Sequence, residues 1–174
     1  MKRAQGVSLS DREIYNRLRG RTNVLLYSQL RNVTDIEQIL RNDSAVILYE
    51  TSPRVGHWVC LIRNIMNGRP SIEFFDSYGL FPDMQKKYIN REFLDGSSQS
   101  HNKIAELLYR ARDRYDIHYN NHRLQKRKKG VSTCGRHVIA RILLKDMDTD
   151  TYNRFLRSFG VDTDEVVTII SDLI

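Results

Sequence analysis

Cys134 stands in Gly130-Val-Ser-Thr-Cys134-Gly135-Arg136-His137, directly ahead of Val138, Ile139, Ile142, Leu143 and Leu144. The spacing predicts a loop followed by a helix that begins at or just before Cys134, with Ser132 or Thr133 as cap. A thiol in a first helical turn feels the positive end of the helix dipole, which lowers its pKa. The five basic residues at 122–129 push the same way. Such a thiolate becomes a useful nucleophile when a histidine serves as its proton partner. The Gln125 amide and the backbone N–H of Cys134 could then stabilise a developing oxyanion. A small packed residue at a helix start is the competing reading of Cys134.

His57 is the candidate partner, because a hairpin places a carboxylate beside it. Asn67-Gly68 is a strong signal for a two-residue hairpin turn. Residues whose numbers sum to 135 then face each other, so Val59 opposes Asp76 and His57 opposes Tyr78. His57, Val59, Asp76 and Tyr78 share one face, with His57 and Asp76 diagonal neighbours at the open end. A carboxylate there orients an imidazole and favours its protonated form. Read separately, His57 is also compatible with a satisfied or exposed loop-side histidine, and Asp76-Ser-Tyr-Gly with a plain turn. The same register sends Cys60 to the opposite face, as a buried core thiol. His137 reads as a surface or packing residue of its helix, and His101, His118 and His122 show no paired carboxylate. Two distant cysteines and scattered histidines lack metal-ligand spacing.

The elements that must hold these groups follow from patterning. Ser10-Asp-Arg-Glu13 and Thr34-Asp-Ile-Glu37 have the form of capping boxes ahead of helices. Ile104, Leu107, Leu108, Ala111 and Tyr115 recur at helical spacing, as do two tail segments, Tyr152 to Phe159 and Val166 to Leu173. Ala45–Glu50, His57–Ile65 and Ser71–Asp76 read as strands, with a further extended stretch from Ile117 to Leu124. The expected fold class is α+β: a central mixed, mainly antiparallel sheet flanked by helices, with the nucleophile at a helix N-terminus.

At 174 residues with 40% hydrophobic side chains, the chain is long enough for one domain with a real core. That composition excludes wholesale disorder. The longest apolar runs are far below a membrane span, and the basic start at residues 1–6 is followed by no apolar stretch, unlike a signal peptide. Two cysteines make no disulfide scaffold and suit a reducing compartment. The net charge of +7 is concentrated at residues 1–31 and 122–129 and is opposed by an acidic tail after residue 145. It suggests a polyanionic or acidic partner.

Gly56-His57-Trp58, Phe74-Phe75-Asp76-Ser77-Tyr78-Gly79, Gln125 and Ser132-Thr133-Cys134-Gly135 resemble the adenovirus-type cysteine proteases. These belong to the clan that also holds the SUMO-specific proteases. That clan runs His, acid, Gln, Cys in chain order, whereas papain-like enzymes place Cys before His. The resemblance spans roughly residues 45–145, taken as the catalytic core of a single protease domain at 1–174 with helical flanks. Gln125 lies nine residues before Cys134 where the family has six or seven, so Lys126–Lys129 looks like a short insertion.

Size and charge look most like the maturation proteases of virophages, giant viruses and Polinton-type elements. The resemblance implies a monomeric endopeptidase that cleaves viral capsid and core precursors, after Gly-Gly- or Gly-X-Gly-type sites, without a metal or organic cofactor. Trp58 would border the channel for small residues, or else pack in the core. Stimulation by DNA or by a peptide activator is implied, with Arg123, Lys126, Arg127, Lys128 and Lys129 as contacts to viral double-stranded DNA. A solvated loop is the alternative for that run. The implied location is the virion and the viral factory or cytoplasm of an infected cell, with no membrane association. Rival readings are a deubiquitinase or SUMO-type deconjugase, acetyl transfer by the same groups, and a non-enzymatic DNA-binding module.

Overall fold

Asn67 and Gly68 both adopt positive φ, 52° and 75°, the signature of a two-residue type I′ turn. The turn joins β3 (Val55–Met66) to β4 (Arg69–Phe75). Their ladder runs from Met66↔Arg69 to Cys60↔Phe75, the register expected from the turn. In this computed structural model, which describes residues 5–174, β2 (Ser44–Ser52) lies antiparallel along the other side of β3. Residues 1–4 of the basic start, read above as no signal peptide, lie outside the described residues.

The sheet is wider than the hairpin region alone. β1 (Asn23–Leu26) pairs parallel with β2, and β5 (Asp116–Tyr119) pairs parallel with β4. The order is β1-β2-β3-β4-β5, antiparallel at its centre and parallel at both edges. The α+β class with a mixed central sheet therefore holds. β1 goes beyond the sequence expectation, since four half-buried residues carry no periodic signal and their partner is distant in sequence.

Both faces of the sheet are buried, which is why Ala45–Tyr49 is continuously apolar rather than alternating. Val46, Leu48, Trp58, Cys60, Ile62 and Phe75 face one core. Over it lie α1 (Asp11–Arg17), α4 (Cys134–Leu143), α5 (Thr149–Arg157) and α6 (Thr163–Asp172). Ala45, Ile47, Tyr49, Val59, Leu61 and Phe74 face a second core. That core is closed by α2 (Arg91–Gly96), α3 (Lys103–Ala111) and short 3-10 turns.

Local caps match the sequence at one place and not at another. Ser10 and Glu13 form the reciprocal capping box at the start of α1. Thr34–Glu37 does not open an α-helix; it forms a single 3-10 turn, Ile36–Gln38, capped by Asp35. Glu37 is instead drawn into partnerships with Arg63 and the Tyr115 hydroxyl.

One buried ion pair fixes α4 on the sheet. Arg141, almost wholly buried, meets Glu73 of β4 at 3.0 and 2.6 Å, a bidentate fork. Its remaining N–H groups reach the carbonyls of Leu144 and Met147. Arg141→Met strands the Glu73 carboxylate and is expected to cost about 3–5 kcal/mol, read by denaturant unfolding.

Candidate active site

The start of β3 is shaped for a side chain that must leave the regular pleat. The β2–β3 ladder shifts register between Glu50 and Ser52, immediately opposite Val55 and Gly56. Bulges of this kind re-aim neighbouring side chains. Gly56 is required there, because a Cβ would lie 1.8 Å from the Tyr49 carbonyl oxygen. The next residue is His57, which is 5% exposed.

The carboxylate arrives from the turn that follows β4. Asp76 is fully buried, and its Oδ1 lies 3.0 Å from His57 Nε2. The same oxygen accepts the Tyr78 N–H at 2.7 Å, and the Asp76 carbonyl accepts the Gly79 N–H at 2.9 Å. Both readings of Asp-Ser-Tyr-Gly are therefore true at once: it is a turn, and the turn aims Asp76 at the imidazole. Tyr78 stacks on the His57 ring, with centroids 4.7 Å apart and planes at 18°. The Arg127 guanidinium also lies over the Tyr78 ring, 4.7 Å from its centroid.

Cys134 is the first residue of α4, and its thiol is in hydrogen-bond contact with the His57 imidazole. With Nε2 committed to Asp76, the Nδ1 of His57 is the nitrogen that can serve the thiol. Burial raises the Cys134 pKa, but the hydrogen bond and charge of His57 and the backbone N–H groups of Trp58 and Gly135 outweigh it, so the net shift is downward. For His57, burial opposes the charged form, yet Asp76 and then the Cys134 sulfur prevail and hold it up to about 10. The pair is thus biased toward thiolate and imidazolium. Cys60 is the contrast: burial first, then nearby Glu73, pushes its thiol upward, as befits the inert core residue expected from the register.

Gln125 reaches the same cleft despite the long spacing. Its backbone N–H donates to the Ser77 carbonyl at 2.9 Å, and its side-chain Oε1 accepts from Ser77 Oγ at 2.7 Å. Using the oxygen in that way leaves Nε2 as the amide's donor end. The added length is spent in exposed residues 126–130, where Gly130 takes φ +84°. The cleft is lined by Ser8, Gly56, His57, Tyr78, Gln85, Gln125, Ser132 and Cys134. Gln85 is 7% exposed, and its Oε1 has no hydrogen-bond partner among the described residues.

The remaining expected residues are placed as follows. The Trp58 backbone N–H faces Cys134, while its side chain is 4% exposed, packs with the α4 core and donates Nε1–H to the Leu9 carbonyl at 3.0 Å, in keeping with the core-packing alternative. In the basic run, Lys126 pairs with Asp162, and Arg127 lies over Tyr88 as well as Tyr78 while donating to the Tyr88 hydroxyl at 2.7 Å. Lys128, Lys129 and Arg123 are exposed.

Sequence reasoning also missed a second histidine–carboxylate pair. Of the two readings of His137, surface or packing, the packing one holds: it is fully buried, with Nε2 2.9 Å from Asp164 Oδ1. His122, read as unpaired, lies 3.4 Å from Asp150 at the surface. Thr133 is the N-cap of α4 by position, but its hydroxyl goes to Asp164 rather than to the helix. Asp164 is 27 residues beyond His137, so no local pattern could join them.

Among the described residues, no group of three or more His, Cys, Asp or Glu side chains is arranged to hold a metal ion. No helix among them is long and apolar enough to cross a membrane. No family model matches the chain. The crystal structure of the ASFV pS273R protease superimposes with a TM-score of 0.56 at 14% identity, covering 97% of this chain and 67% of that one. The α+β architecture is therefore one already seen in a viral protease. A protein of Sputnik virophage, designated Uncharacterized protein V9, is 33% identical over 176 residues, covering 98% of each chain. With a third of its residues identical along nearly its whole length, the chain belongs to the family of that virophage protein.

Proposed function

We propose that this protein is a cysteine endopeptidase that matures viral capsid or core precursor proteins. One observation carries the reading: His57 is buried between a carboxylate 3.0 Å from Nε2 and a sulfur whose pKa is lowered chiefly by that same imidazole against its burial. An ion pair sealed in this way, at the floor of a cleft and the start of a helix, is a nucleophile awaiting a carbonyl.

In the reaction, Cys134 Sγ attacks the scissile carbonyl carbon, and the oxyanion takes hydrogen bonds from Gln125 Nε2 and the Cys134 N–H. As the C–N bond breaks, the imidazolium of His57 gives its proton to the departing amine. Water, deprotonated by His57, then releases the acyl group and restores the thiol. Asp76 orients the imidazole throughout. Gln85 offers an acceptor for a substrate main-chain N–H. The single protease domain has its core at about 45–145, and the order His57, Asp76, Gln125, Cys134 supports the adenovirus-type clan.

The experiment is incubation with a virophage-type capsid precursor beside ubiquitin- and SUMO-based fluorogenic substrates, with product masses giving the cut site. Cleavage of the precursor after a Gly-Gly or Gly-X-Gly sequence is expected. Hydrolysis of the ubiquitin-like substrates alone would replace the maturation role with deconjugation.

Retention on viral DNA is a separable part of the proposal. With Lys126 and Arg127 engaged locally, the exposed Lys128 and Lys129 are the contacts to test. Changing both to Gln should weaken duplex binding and reduce the slope of log affinity against log salt by about 2. An unchanged slope would make the run a solvated loop.

A further inference from the structure

We infer that Asp164, in the first turn of α6, is a positioning residue that holds the glutamine arm and the nucleophile arm of the cleft in register; this rests on the peptidase reading above. Asp164 is 1% exposed and comes from the acidic tail, far in sequence from every group that acts in the cleft. Its Oδ2 accepts the backbone N–H of Lys126 at 3.0 Å, the residue next to Gln125. Its Oδ1 accepts from the Thr133 hydroxyl, the residue before Cys134. The same oxygen receives His137 Nε2 at 2.9 Å, three residues into α4.

The neighbours of Asp164 tighten the same grip. The Thr163 hydroxyl donates to the Leu124 carbonyl, just ahead of Gln125. Asp162 pairs with Lys126 Nζ. One helical turn therefore ties down residues 124–126 on one side and residues 133–137 on the other. Between the two anchors lies the exposed loop 127–130, which by itself cannot fix the distance from the Gln125 amide to the Cys134 sulfur. An oxyanion site works only if its two donors keep their spacing, and a displacement of an ångström or less is costly.

This division of labour makes two reactions respond differently. Peptide hydrolysis needs the oxyanion donors. Alkylation of Cys134 by iodoacetamide forms an S–C bond and expels iodide, with no oxyanion, so it reads only the thiolate and its partner. Asp164→Asn cannot accept from all three donors. It should lower kcat for peptide cleavage about 10–100-fold with KM within about twofold, while the alkylation rate stays within about threefold. Thr163→Val removes one hydroxyl without adding bulk and should lower kcat about 5–10-fold, with Thr163→Ser restoring it.

Equal losses of hydrolysis and alkylation in folded Asp164→Asn would overturn the inference, since the residue would then act on the thiolate or the fold at large. Should Asp164→Asn fail to fold, the Thr163 pair decides: kcat within twofold of wild type in Thr163→Val contradicts the clamp. Wild-type hydrolysis that depends on Cys134, joined to unaffected variants, sinks only this inference. Absence of any peptide cleavage by wild type would remove the reading beneath it.

Discussion

Cys134→Ala and His57→Ala each lower kcat/KM for peptide cleavage by on the order of 10⁴-fold or more, and Asp76→Asn by about 10²-fold. The first removes the attacking atom. The second removes both the charge that holds the thiolate and the acid that protonates the leaving amine. Asp76→Asn is milder because an amide oxygen still accepts from His57 Nε2 at the same place, keeping the ring's orientation while losing the carboxylate charge. The expected ranking is Cys134 and His57 together, then Asp76. The double variant Cys134→Ala/His57→Ala should lose little beyond either single one, because the two act as a unit. Steady-state assays on one short peptide suffice to measure all four proteins.

The second large effect is in pH. The Cys134 thiol is held below its ordinary value of 9.0 and the His57 imidazolium is held up to about 10, so the ion pair exists between these two titrations. Alkylation by iodoacetamide at neutral pH should therefore be faster than for an ordinary thiol of pKa 9.0, which would be about 1% ionised there, and its rise with pH should be centred below 9.0. Peptide cleavage should rise on the acid side as the thiolate forms. It should fall on the alkaline side as His57 loses, near pH 10, the proton it must give to the amine. Asp76→Asn removes the main influence raising His57 against its burial, so the alkaline limb moves to lower pH. In His57→Ala, alkylation at neutral pH should drop toward that of an unassisted thiol. Intact mass should show one adduct, on Cys134, with Cys60 protected by burial and by its raised pKa.

Much of this site is legible in the sequence because its geometry is set locally. Asn67-Gly68 fixes a two-residue turn and the turn fixes a register that runs to Cys60↔Phe75, which brings His57 and Asp76 to the same end of the hairpin, where the bulge before His57 and the turn after β4 complete their meeting. Cys134 is legible for a related reason, as a thiol just ahead of an apolar helical repeat. What escapes is whatever depends on partners distant in the chain. β1 is short and finds its partner parallel and about 20 residues away. Glu37 follows a helix signature but is taken by Arg63 and Tyr115, so a 3-10 turn wins.

The basic run teaches the same lesson about charge. Counted along the sequence, Lys126 and Arg127 look like free cations. In the fold one is paired with Asp162 and the other lies against two tyrosines, in a segment whose backbone Asp164 also holds. The acidic tail is thus more than a counterweight to the net charge of +7; through Asp164 it holds the backbone beside Gln125. His137 escaped for the matching reason, since its carboxylate lies on another helix.

The central claim is that Cys134 carries the acyl group of the substrate. An activated ester of a Gly-Gly peptide, mixed with the enzyme and quenched in acid within the first turnover, tests it by intact mass and peptide mapping. The account predicts a thioester adduct on Cys134 that is absent in Cys134→Ala and decays as product appears. Turnover by the wild type with no adduct, or an adduct that survives in Cys134→Ala, would contradict it.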